Sequence, residues 1–67
     1  MNIIINGETY GVPTDVQTVE QLLLHLQLQH KVMIVERNEE ILGKEAHAHT
    51  QLTMGDKIEI VHFVGGG

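Results

Sequence analysis

The sequence predicts an α+β domain in which one main helix packs on a small mixed sheet of four or five strands. Three observations carry that prediction. Apolar, largely β-branched stretches of strand length recur at residues 3–5, 31–36 and 57–64. Asn6-Gly7, directly after the first stretch, is a favoured hairpin pair. Thr18-Val19-Glu20-Gln21 opens the one segment with a helical period. Sixty-seven residues supply only one hydrophobic core, so all these elements belong to it.

Taken in order, Ile3-Ile4-Ile5 between two asparagines reads as a strand buried on both faces, hence central in its sheet. After the Asn6-Gly7 turn, Tyr10 and Val12 share a face until Pro13, which lacks a backbone donor, ends the strand. Gly11 marks either a bulge or a thin spot in an edge strand. In the capping box the Thr18 hydroxyl accepts from the N3 amide and Gln21 reaches back to the cap amide. Val19, Leu22, Leu23 and Leu26 follow the i, i+3, i+4, i+7 rule and form the stripe that faces the sheet. Leu24 and Leu28 point away from that stripe, so they are either covered by a loop or form a partner-binding patch. The helix fades near Gln29-His30, and residues 31–36 read as a second buried strand.

Arg37-Asn38-Glu39 makes a turn into a very short strand at residues 40–42. Residues 43–51 have no sustained period and read as an irregular crossover with one helical turn, anchored by Leu52 and Met54. Met54-Gly55-Asp56 turns the chain into the last and longest strand, residues 57–64, where burial on both faces accounts for the broken alternation at Val61 and Phe63. The crossover through the helix allows the last strand to lie parallel to the first. This order is a β-grasp arrangement.

Charge narrows the function classes. Nine Asp and Glu against four Lys and Arg give a net charge of -5 with neutral histidines, and Lys31, Arg37, Lys44 and Lys57 do not cluster; nucleic acid and anionic membranes are poor partners for such a surface. There is no apolar run of membrane-spanning length and no secretory leader pattern, so a cytoplasmic location is expected. No cysteine is present, which excludes disulfides, thiolate metal sites and side-chain thiol chemistry. His47 and His49 have no third ligand at a recognisable spacing, so no metal site is expected and the loop histidines read as solvated. Phosphate-loop and dinucleotide signatures are missing as well, so any nucleotide chemistry belongs to a partner.

Phe63-Val64-Gly65-Gly66-Gly67 is the most informative segment. Three glycines follow the strand directly, giving a tail thin enough to thread a narrow channel and free to take backbone angles closed to other residues. Its carboxylate becomes an electrophile only if an oxygen is made a leaving group, as in an acyl-adenylate. Three motifs then converge: Thr18-Val19-x-x-Leu22-Leu23, Val35-Glu36-Arg37-Asn38-x-Glu40-Ile41, and Gly55-Asp56-x-Ile58-Glu59-Ile60-Val61-x-Phe63-Val64-Gly65-Gly66. In these the chain resembles the ThiS-like sulfur-carrier family of thiamine biosynthesis, a ubiquitin-like β-grasp family, over essentially its whole length.

The resemblance implies a protein cosubstrate, not an enzyme. It binds no cofactor itself; a ThiF-like adenylating enzyme uses MgATP to adenylate Gly67, a persulfide sulfur donor protein supplies sulfur, and a ThiG-like thiazole synthase receives it from the thiocarboxylate. Gly66 matches the family's penultimate glycine and Gly65 is an addition to the minimal pair. On this reading residues 1–64 are the folded domain and residues 65–67 a flexible reactive tail, with order expected through about Val64. Phe63 and Val64 are the expected apolar docking step beside the tail, and Glu36, Glu39, Glu40 and Glu59 suit a basic partner surface. The residues leave open a carrier for molybdopterin synthesis or tRNA thiolation, a modifier joined to lysines, and a plain protein-interaction module.

Overall fold

A computed structural model describes residues 1–62. Its elements are strand β1 (Asn2–Ile5), β2 (Glu8–Gly11), helix α1 (Val19–His25), β3 (Met33–Arg37), β4 (Glu40–Leu42), a 3-10 turn at Lys44–Ala46, and β5 (Lys57–His62). The five strands form one sheet in the order β2-β1-β5-β3-β4, with β1 and β5 parallel and the other neighbours antiparallel. The fold is the expected ubiquitin-like β-grasp. Among the described residues, no helix is long and apolar enough to cross a membrane.

Local chemistry explains the turns. Asn6 (φ 50°) and Gly7 (φ 85°) both take left-handed angles, as a two-residue type I′ hairpin requires. The β3–β4 turn repeats that geometry with Asn38 (φ 51°) and Glu39 (φ 73°). Gly11 pairs in register with Asn2, so no bulge is present there.

The capping box forms as predicted: Thr18 Oγ1 accepts from the Gln21 amide at 3.2 Å, and Gln21 Oε1 accepts from the Thr18 amide at 3.1 Å. The neighbouring unpaired amides of the first turn are met by the crossover loop, where Val19 donates to the Thr50 carbonyl and Glu20 to the His47 carbonyl, both at 3.0 Å. The loop without a period is therefore an acceptor for the helix. Leu52 is buried against the core, whereas Met54 is 74% exposed and anchors nothing.

α1 ends at His25, a turn earlier than its apolar spacing suggests. Gln27 takes φ 62°, its amide bonds to the Leu24 carbonyl at 2.9 Å, and the Leu28 amide bonds to the Leu23 carbonyl at 2.8 Å. These paired bonds are a left-handed helix cap, and the accompanying apolar contact between such positions accounts for Leu28. Leu28 thus lies beyond the helix, partly buried against the core, and only Leu24 stays on its outer side, half exposed.

The core, centred on Ile3, Val19, Leu22, Val35 and Ile58, lies between α1 and one face of the sheet. The opposite face is uncovered, which corrects the expectation of strands buried on both sides: Ile34 is 41%, Ile41 70% and Val61 55% exposed. One helix covers one face, and among the described residues no second layer covers the other.

Asp56 ties the loops at one end of the sheet together. Its carboxylate accepts from Arg37 Nε at 2.9 Å, Asn38 Nδ2 at 3.1 Å and the Thr53 amide at 2.8 Å, while its carbonyl accepts from the Ile4 amide at 2.8 Å. Burial alone would raise the carboxyl's pKa, but the Thr53 amide and the Arg37 and Asn38 side chains outweigh it and hold the pKa below the usual 3.8. A carboxyl depressed in the folded state stabilises only while ionised, so its contribution is full above the unfolded value and is lost as pH falls through the folded one. Asp56→Asn is expected to cost about 2 kcal/mol at pH 7. In urea titrations from pH 7 to pH 2 the gap to wild type should close at the acidic end. Gln27→Gly, relieving a left-handed non-glycine residue, is expected to stabilise the domain by about 0.5–1 kcal/mol, read as a higher urea midpoint at unchanged slope.

Candidate functional site

Nothing in the described residues resembles a catalytic cluster, and none of their His, Asp or Glu side chains form a group of three able to hold a metal ion. What the fold builds is a platform around the end of β5. This strand pairs with β3 from Arg37↔Ile58 to Met33↔His62, so the register is fixed up to the last described residue. On the other side Ile4↔Lys57 and Ile5↔Ile58 pair with β1. Asn6 then continues the ladder with its side chain: Oδ1 accepts from the Ile60 amide at 2.8 Å and Nδ2 donates to the Ile60 carbonyl at 3.2 Å. A turn residue thereby replaces a missing strand residue.

Alternation sets the composition of the open face. Val35, Ile58 and Ile60 are buried against α1, so Ile34, Glu36, Glu59 and Val61 project to the other side. Ile34 stands directly opposite Val61, Glu36 opposite Glu59, and Ile41, 70% exposed, opposite Glu36. The result is an apolar patch nearest the end of β5, bordered by two carboxylates on adjacent strands. Like charges directly opposite each other cost the free protein stability, and they favour a partner that presents a cation.

The predicted site residues separate into two groups. Phe63, Val64, Gly65, Gly66 and Gly67 lie outside the described residues. Leu24 and Leu28 are not joined in one outward patch, because the helix cap turns Leu28 inward. His47 is not solvated: it is buried, with its Nε2 unpartnered, while His49 is exposed. The His47 carbonyl accepts from the Glu20 amide, which holds this residue against the first turn of α1. His25 bonds to the Tyr10 hydroxyl at 3.1 Å. Sequence reasoning missed Ile34, Ile41 and Val61 as a surface. The available signal was that the sequence offers a single helical period, enough for one layer on one face of the sheet.

Residues 3–67 match the sequence model of the ThiS family. The sulfur carrier protein ThiS of Bacillus subtilis is 49% identical over 63 residues, covering 94% of this chain and 96% of that protein. A thiazole synthase of Paramagnetospirillum magneticum is 43% identical over 67 residues, which are all of this chain and 20% of that protein. Among solved structures, the crystal structure of the thiamine biosynthesis protein ThiS from Geobacter metallireducens superposes with a TM-score of 0.83 at 36% identity, covering 100% of both chains.

Proposed function

The chain belongs to the ThiS family, and from that premise we propose that it is a sulfur carrier of thiamine biosynthesis with Gly67 as its reactive residue. Such a carrier is a cosubstrate, acted on by enzymes. A terminal carboxylate, with a reference pKa of about 3.5, is ionised at neutral pH and needs activation before a nucleophile can attack it. On an adenylating partner holding MgATP, a Gly67 carboxylate oxygen attacks the α-phosphorus and pyrophosphate leaves, giving the acyl-adenylate. The terminal sulfur of a donor persulfide then attacks the carbonyl carbon and AMP departs. A thiol cleaves the resulting acyl disulfide, itself ending in a disulfide, and the thiocarboxylate remains on Gly67 for thiazole synthase to take up.

The observation that carries this reading is the family match running through residue 67, backed by 49% identity to a named sulfur carrier over nearly its full length. The synthase relative supports the customer. A segment as long as this chain makes up a fifth of that thiazole synthase, so carrier-like and synthase parts share one polypeptide there.

For docking, the open sheet face is the surface of choice. Val61 lies on the strand that leads to the tail, Ile34 on β3 beside it and Ile41 on β4 beyond, and Phe63 and Val64 extend that apolar path in sequence. Burial of such apolar anchors at the centre of a contact supplies most of its binding energy. Glu36 and Glu59 then meet basic side chains of the partner.

Intact mass spectrometry after incubation with MgATP, an adenylating enzyme and a persulfide donor should show one oxygen exchanged for sulfur, mapped to the C-terminal peptide and abolished by deleting Gly67. No change, with an enzyme shown to be active on another carrier, would sink the assignment. Val61→Asp is expected to raise the carrier KM in adenylation about tenfold or more. Because Val61 is 55% exposed in the free protein, its urea midpoint should move little.

A further inference from the structure

Of the three asparagines in the chain, Asn2, Asn6 and Asn38, only Asn6 precedes a glycine. The amide nitrogen after an asparagine is within five-membered-ring reach of its Cγ, and the ring closes most readily when the following residue has no side chain to crowd the approach. Ile3 and Glu39 carry side chains at the equivalent positions after Asn2 and Asn38. The Asn6-Gly7 turn is exposed, and a Cβ built on Gly7 would meet nothing within 4 Å, so the turn is sterically open.

What the fold adds to this dipeptide is a clamp. Asn6 Oδ1 accepts from the Ile60 amide at 2.8 Å and Nδ2 donates to the Ile60 carbonyl at 3.2 Å. Both polar substituents of Cγ are thus held toward β5, and the Asn6 amide adds a bond to the Ile58 carbonyl at 2.9 Å. Ring closure requires the carboxamide to turn from Ile60 to the Gly7 nitrogen. The two bonds that hold the strand therefore also block the reaction.

We propose that Asn6 is a deamidation site gated by its clamp on Ile60, so that a chain is modified there only when β5 lets go of the turn. The Gly7 nitrogen, losing its proton to a solvent base, bonds to Asn6 Cγ; the Cγ–Nδ2 bond breaks and ammonia leaves with a proton from water. Water then opens the succinimide at either carbonyl, leaving an aspartyl or an isoaspartyl residue at position 6. Amide and water become carboxylic acid and ammonia, with no change of oxidation state. The clamp does not re-form: a carboxylate has no donor for the Ile60 carbonyl and sets a negative oxygen against it. It also adds a charge to a chain already at -5. The isoaspartyl form lengthens by one backbone carbon a turn whose flanking residues, Ile5 and Glu8, are paired across two residues only. Each modified chain holds β5 less firmly, and this is independent of the carrier reading.

The test follows the full chain in mildly alkaline buffer by mass spectrometry of its N-terminal peptide, which resolves amide from acid and separates the aspartyl and isoaspartyl forms by retention. The Ile60 amide, whose acceptor is Asn6 Oδ1, reports clamp opening through hydrogen exchange in the same samples. Modification at Asn6 is expected to be about tenfold or more slower in the folded chain than in unfolding urea. Its rate should rise in proportion to Ile60 exchange as urea is added below the midpoint, while Asn2 and Asn38 stay unmodified. Asn6→Asp, which makes the aspartyl product genetically, should show a lower urea midpoint and faster Ile60 exchange. The wild-type kinetics decide the gate even if that variant does not fold. Equal rates in folded and unfolded chain, or a folded rate indifferent to Ile60 exchange, would overturn the gate. An Asn6 that stays intact even in urea would overturn the site, and Asn6→Asp with wild-type Ile60 protection would overturn the loss of the clamp.

Discussion

The last strand in sequence occupies the middle of the sheet, and the rest of the molecule is arranged around that insertion. β5 has only two residue pairs with β1 but five with β3. The imbalance is made good by Asn6, whose amide side chain holds both polar backbone groups of Ile60. At the other end Asp56 fixes the entry of the strand, gathering Arg37 and Asn38 from the β3–β4 turn and the amide of Ile4 from β1. A free carboxylate buried at that point would be costly, but three donors satisfy it. The two side chains, Asn6 and Asp56, set where β5 begins and how far it stays in register.

That register matters because a carrier has no active site to shape. Its contribution to catalysis by others, on the proposed reading, is to present one carboxylate, and β5 is the strand that precedes it in sequence. The open apolar face and the Glu36–Glu59 pair are unfavourable for the isolated domain. They are consistent with a surface that is complete only in a partner's presence. The proposed docking face and the route to the tail share one strand: Val61 is exposed on it while Ile58 and Ile60 are buried in the core.

What could be read from the sequence was what short-range chemistry determines. The capping box, the Asn6-Gly7 turn and the Asn38 turn depend on residues no more than a few positions apart, and each appears with the expected geometry. Helix length failed because Gln27, an ordinary helix former, adopts the left-handed angle that ends α1, a choice made by packing of Leu28 rather than by propensity. The uninterrupted apolar runs were misleading in the same way. Periodicity cannot distinguish a strand covered twice from one whose second face awaits another protein. Asp56 was legible only as part of a turn, since its side-chain partners Arg37 and Asn38 stand 19 and 18 residues away. His47 was hidden because a loop without a period gives no sign of which residue it tucks under. The role of the glycine tail came from family resemblance, not from the physics of glycine.

The parallel pairing of the first and last strands also has a consequence for biosynthesis. A nascent chain that has not yet produced residue 58 lacks the centre of its sheet and the strand that both neighbours need, so its β1–β2 and β3–β4 hairpins remain separate and unsupported. Folding therefore waits for the synthesis of β5. Chains broken off before β5 are left to proteolysis rather than released as compact decoys. The folded state thus acts as a receipt: a partner that recognises the assembled sheet is, by that act, selecting molecules whose synthesis has run through to the strand that bears the tail.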